Sequence, residues 1–259
     1  MKIAPHIFSS PKQPLSVLLK PTVILTFVIS LFWGQATAQR NRFSGWFSVT
    51  QNIRINDKFS VQLDNQLRTT DQWKTKDIYF LRAGAMMSLK KGYSIGAGYF
   101  FIDFWRTVNN VYDDISENRL YQQIQFAKEY KKTFFQHRIR IEERWMPVIG
   151  IRNSKFYKQS EQINSRLRYW ARWQWPFSGK TNFQNGFYGC KQDELMFNLT
   201  GKKYTNNMFF DQVRSYTGIG YRLNKTMDIE AGHMFICAIN RSKQSMITNA
   251  IQITTAFRW

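Results

Sequence analysis

The chain has 259 residues, a net charge of +20 and a pI near 10.1, and it is hydrophilic on average although 17% of its residues are aromatic. A bundle of membrane-spanning helices would be far more apolar, and a soluble domain seldom holds 9 Trp, 12 Tyr and 22 Phe. A transmembrane β-barrel accommodates both properties, because lipid-facing and lumen-facing side chains alternate and aromatics ring the two interfaces.

In chain order, Lys2, Lys12 and Lys20 form a basic n-region, Thr22 to Trp33 an apolar run, and Ala36-Thr37-Ala38 an A-x-A cleavage site. This pattern predicts a secretory signal peptide over residues 1–38, cleaved near Ala38-Gln39. The apolar run is shorter than the roughly 20 residues a spanning helix needs. The remaining domain, residues 39–259, carries +17. A pI this high first suggests nucleic acid, but an exported chain does not meet it. Anionic headgroups, lumenal acids or anionic solutes are the expected counterparts of the basic residues. Cys190 and Cys237 fall in different predicted strands and are expected to remain thiols.

Period-2 alternation then recurs along the domain. Phe47, Val49, Ile53 and Ile55 share one face, and after the Asn56-Asp57-Lys58 turn so do Phe59, Val61, Leu63 and Leu67. A polar loop (Thr69 to Lys76) precedes Tyr79 to Leu89, and Lys90-Lys91-Gly92 turns the chain into Tyr93 to Phe101, whose opposite face carries Ser94, Gly96 and Gly98. A longer loop is expected from Asp103 to about Asn118, then strands around Leu120 to Phe126 and Phe135 to Arg144, then a loop from Met146 to Glu161. Ile163 to Trp175 alternates again. Thr181 to Thr200 reads as one long strand or two short ones. The hairpin Val213 to Ile236 turns at Asn224-Lys225-Thr226 and leads to the closing strand, Ile247 to Trp259, which ends on an aromatic residue.

Segments of about ten residues with this dyad period predict a single antiparallel up-and-down transmembrane barrel of about 10–12 strands. The count is eleven, or twelve if Thr181 to Thr200 splits. Because bacterial barrels are usually even-numbered, an odd count points to an error, either there or near Arg40 to Ser44.

Four segments, Asn118-Arg-Leu-Tyr-Gln-Gln123, His137-Arg-Ile-Arg-Ile-Glu-Glu-Arg-Trp145, Arg166-Leu-Arg-Tyr-Trp-Ala-Arg172 and Gly218-Ile-Gly-Tyr-Arg222, resemble the family DUF2490. Its members are outer-membrane-like barrels of unknown function, common in Bacteroidetes and other Gram-negative bacteria. The resemblance implies a barrel and carries no catalytic residues or cofactor with it.

The residues that could carry chemistry form an inward ladder. Arg138, Arg140, Glu142 and Arg144 share one strand face, and Arg166, Arg168 and Arg172 share a nearby one. Neighbours on one face lie about 7 Å apart, so side chains of adjacent strands interleave. Asp64, Asp228 and Glu230 are further inward acids. Either the ladder is a salt-bridge network that stiffens the barrel, or it lines a narrow anion-attracting constriction. From a different class, a lipid-modifying enzyme would use lipid-facing His233 with Ser215, although no convincing acid shares their face. A soluble periplasmic lipid-binding barrel is the third option. Trp173, Trp175, Phe257 and Trp259 are expected at the membrane interface. No metal-ligand spacing is present. The expected setting is the outer membrane, with its lipids, lipopolysaccharide among the candidates, and the barrel-assembly machinery as partners.

Overall fold

The computed structural model describes residues 40–130, 132–179 and 183–259. The expected signal peptide and its Ala38-Gln39 cleavage point lie outside the described residues. Eleven strands follow in chain order: β1 (Arg40–Arg54), β2 (Phe59–Thr70), β3 (Thr75–Ser88), β4 (Tyr93–Val108), β5 (Val111–Tyr130), β6 (Thr133–Arg152), β7 (Lys155–Pro176), β8 (Gly186–Asn198), β9 (Phe210–Arg222), β10 (Met227–Ile239) and β11 (Ser245–Arg258). Each pairs with its sequence neighbours, and β1 with β11 closes a single barrel.

Alternation makes this barrel polar inside and apolar outside. Ile95, Ile139 and Ile253 are exposed on the outer wall, while Arg140 and Arg168 are buried within. Gln62 and Thr254 line an interior cavity. Gly84 and Gly98 pair across β3 and β4, and the Tyr121 ring lies where their Cβ atoms would stand. Only glycine on both strands admits the ring, which then packs with Phe80, Phe100 and Ile102.

Closure corrects the sequence expectation of an all-antiparallel barrel. An odd number of alternating strands leaves the first and last running the same way, so they can close only as a parallel pair. β1 and β11 do so from Arg40–Met246 to Asn52–Arg258. Parallel pairing is slightly weaker per residue, and its length offsets this. The Trp259 amide donates to the Asn52 carbonyl and the Trp259 carbonyl accepts from the Arg54 amide, each at 2.9 Å. Neither suspected miscount applies. The described part of Thr181 to Thr200 holds the one strand β8, and Arg40 to Ser44 is the start of β1.

Two expected loops are strands. Asp103 to Asn118 continues β4 into β5 through the two-residue turn Asn109-Asn110, and Met146 to Glu161 continues β6 into β7 through Asn153-Ser154. All four turn residues have positive φ, from 48° to 63°. This is the conformation that matches a two-residue hairpin to the strand twist, and Asn tolerates it best among residues with a Cβ. The turn after β2 is likewise shorter than expected, because strand pairing extends to Thr70 and Thr75. These hairpins stand at the rim opposite Trp259; the rim at which β11 ends carries the β1–β2, β3–β4 and β9–β10 turns.

Candidate functional site

The interior is organised around one carboxylate. The β6–β7 register sets Glu142 opposite Arg166 and Arg140 opposite Arg168. Arg168 Nη1 donates to Glu142 Oε1 at 2.6 Å and Arg166 Nη2 to Oε2 at 2.8 Å. The guanidiniums of Arg119 and Arg140 stand at 3.5 and 3.6 Å. Four cations thus surround an acid whose side chain has 0% exposure. Arg140 is further held by Gln123 Oε1, at 2.6 and 3.0 Å, and lies over the Tyr121 ring.

Other ladder members reach this centre through shared acids. Arg168 also binds both oxygens of Glu194 at 2.8 Å, and Arg138 donates to the same carboxylate at 3.2 Å. Arg144 and Arg119 donate to Glu117 Oε1 at 3.0 and 2.6 Å. Arg172 stands apart, paired with Glu230 at 2.5 Å, nearer the Trp259 rim. There Arg222 and Arg258 share Asp228. Buried charges persist when opposed and hydrogen-bonded, and Glu142, Glu194, Glu117 and Asp228 each satisfy more than one guanidinium.

Glu117, Arg119 and Glu194 belong to this network without having been singled out in the sequence. Glu117 falls within a segment that reads as loop, and Glu194 within the stretch of unclear period. The signal that could have found them is charge complementarity: a ladder of seven inward side chains with a single acid requires others on the flanking strands.

Above the network, Asn164 and Asn198 are both 0% exposed. Asn198 holds Asn206 in the β8–β9 connection at 3.1 Å, and Asn164 reaches the Thr200 carbonyl at 2.6 Å. The connection is therefore tied down over the lumen. Below the network, a cavity of about 760 Å³ runs inward from Lys132, Pro176 and Arg258 at the Trp259 rim to Trp46, Arg68 and Arg214. Arg140 and Glu142 do not line it, so it ends against Arg138, Arg168 and Glu194.

On the outer wall the register sets His233 opposite Thr217, with Ser215 opposite Phe235. His233 Nε2 bonds Asn249 Oδ1 at 3.0 Å. Ser215 instead donates to Asp193 Oδ1 at 2.7 Å and accepts from Lys191 Nζ at 2.5 Å. An acid does share this face, Asp193 on β8, yet it holds the hydroxyl rather than the imidazole. His137 bonds the Tyr169 hydroxyl at 2.8 Å, while Glu143 accepts from Ser165. Cys190, buried, and Cys237 are free thiols. Among the described residues no three His, Cys, Asp or Glu stand where they could hold a metal ion.

Trp173 and Trp175 pack at 4.8 Å, Phe135 stacks on Trp173 at 5.7 Å, and Phe257 stacks on Trp259 at 5.8 Å. All lie near the rim at which β11 ends.

No curated protein matches the sequence. Among solved structures, a porin refined at 1.8 Å is 14% identical, with 71% of this chain aligned to 54% of that one, about half its length, at a TM-score of 0.34. The beta domain of the Bordetella autotransporter Brka is 11% identical, with 80% of this chain and 83% of that chain aligned, at a TM-score of 0.42. Residues 43–246, well over half of the chain, match the model of the family described as protein of unknown function (DUF2490), and the chain belongs to that family.

Proposed function

We propose that this chain is an integral outer-membrane barrel with a sealed interior, a wall protein rather than an open pore. The observation that carries this reading is Glu142, at 0% exposure among four guanidiniums in the middle of the lumen. A conducting path would have to pass that point, and hydrated ions need space that these side chains fill.

The membrane setting is supported by the exterior. Among the described residues more than thirty large hydrophobic side chains are exposed, whereas soluble proteins rarely expose apolar patches beyond a few hundred Å². A soluble periplasmic barrel would hold that surface in water. The aromatic pairs at the Trp259 rim suit headgroup depth. Outer-membrane lipids, lipopolysaccharide included, and the assembly machinery are the partners this reading calls for. The lipid-modifying alternative lacks a connected nucleophile and base, since Ser215 and His233 sit in separate hydrogen-bonded groups.

Membrane fractionation with a heat-modifiability gel tests the barrel, and planar bilayers test the seal. A heat-shifted band and no stepwise current are expected. A small anion-selective current, moved toward cations by Arg140→Gln with Arg168→Gln, would overturn the seal in favour of a narrow anion pathway.

A further inference from the structure

The blind cavity is more cationic than its internal acids require. Nine basic and five acidic side chains line it, and four of the five acids are already paired. Glu194 serves Arg138 and Arg168, Asp228 serves Arg222 and Arg258, Glu230 serves Arg172 and Asp64 serves Arg82.

Two guanidiniums at the inner end have no such partner among the described residues. Arg68 lies 3.8 Å from the Trp46 ring centroid, and Arg214 lies 5.5 Å from the same ring. Their side-chain hydrogen bonds go to neutral amides, Arg68 Nε to Gln66 at 2.6 Å and Arg214 Nε to Gln212 at 3.3 Å. At the same end, Arg138 Nε is buried without an acceptor.

Like charges converging on one indole away from bulk water are costly unless an anion stands between them. The shared indole holds the two guanidiniums close together, and a guanidinium fork binds an oxyanion bidentately. A phosphate carries about −1.5 to −2, close to the charge of two arginines that no carboxylate contacts directly, with Asp77 and Glu194 acting on them only from farther off. The volume, about 760 Å³, is that of a small-molecule site, and Trp170 and Phe80 supply apolar wall beside the charges.

We propose that this cavity binds a small phosphate-bearing compound, its phosphate held by Arg68 and Arg214 at the closed end. The proposal goes beyond the sealed-barrel reading and does not depend on it, because a barrel that conducts would still present these two arginines.

The test is titration calorimetry of the full folded barrel, checked by heat-modifiability, first in neutral detergent with inorganic phosphate. Saturable binding is expected, weakened at least tenfold by Arg68→Gln with Arg214→Gln. Thr50→Trp, which narrows the cavity on the rim side of Arg68 and Arg214 without altering either arginine, should weaken it likewise and covers the case in which the double variant does not fold. A second arm repeats the titration in phosphatidylcholine vesicles with and without phosphatidylglycerol. Competition by phosphatidylglycerol assigns the phosphate to a lipid headgroup, and its absence assigns it to a free solute. No saturable heat with the wild-type barrel, or affinity unchanged in the folded variants, would overturn the proposal.

Discussion

Two carboxylates in this barrel live in opposite surroundings. Glu142 sits inside, fully buried, with two guanidiniums in hydrogen-bond contact and two more within 3.6 Å. Asp193 sits on the outer wall with one hydroxyl at 2.7 Å and the Lys191 ammonium at 3.5 Å. Inside, several strands converge on a common axis and can surround a charge. Outside, the wall curves away, and a charge can be met only by its neighbours on the same and adjacent strands. The number of partners, rather than burial alone, separates a charge that organises the fold from one the fold merely tolerates.

The largest effect is expected at the hub. Glu142→Gln leaves four guanidiniums with the central acid gone, and breaking a buried pair of this kind costs about 3–5 kcal/mol. Urea unfolding in lipid vesicles, followed by the heat-modifiable band, should show a loss of that order. A loss below about 1 kcal/mol would put the two carboxylates on the same footing. Arg140→Gln with Arg168→Gln should destabilise less than the Glu142 change, because it removes positive charge from a net-positive site while also stripping Glu194 of its two-pronged partner. Cooperative unfolding equal to that of the wild type would show that the ladder does not stiffen the barrel.

Much of this architecture is legible in the sequence because period-2 alternation reports the two faces directly. Leu63, Ile139 and Arg140 can be assigned a side with no knowledge of their neighbours. What alternation does not report is where a strand ends, since a tight Asn-Asn turn and a polar loop have similar composition. That is why the β4–β5 and β6–β7 hairpins read as loops, and why Glu117 was hidden in one of them. Parity is legible, since the strands count to eleven in the sequence, but the usual even number of bacterial barrels argues against that count; nothing in β1 or β11 alone marks the seam as parallel, which follows from taking the odd count at face value and requiring closure. Partners on non-adjacent strands, such as Glu194 on β8 for Arg138 on β6, depend on strand order and stagger, which no single strand encodes.

On the outer wall, Asp193→Ala should cost about 1–2 kcal/mol in the same vesicles. It removes the acceptor of the Ser215 hydroxyl and leaves Lys191 without its nearby charge. The effect is smaller than at Glu142 because one ammonium is stranded rather than four guanidiniums, and a lysine can extend toward the interface. An Asp193 loss as large as that at Glu142 would erase the distinction.

The smallest change, and the one with the most informative sign, is Lys191→Leu combined with Asp193→Leu. Both residues lie midway along β8, at the level of Ser215 and Thr217 on β9 and His233 on β10. In a bare hydrocarbon setting, a lysine near the bilayer midplane costs about 2–4 kcal/mol and an aspartate less. Their mutual attraction at 3.5 Å and the hydrogen bonds to Ser215 and Thr217 return part of that cost. Replacing the pair together removes both charges and strands neither, in contrast to the single change, leaving a serine and a threonine, whose hydroxyls can turn back to strand carbonyls. The double variant should therefore be as stable as the wild type or more stable by about 1 kcal/mol, the opposite sign to any change at Glu142. A clear loss of stability that depends on protein concentration would mean that this wall is covered by another chain rather than by lipid, so that the outer charges, too, are surrounded.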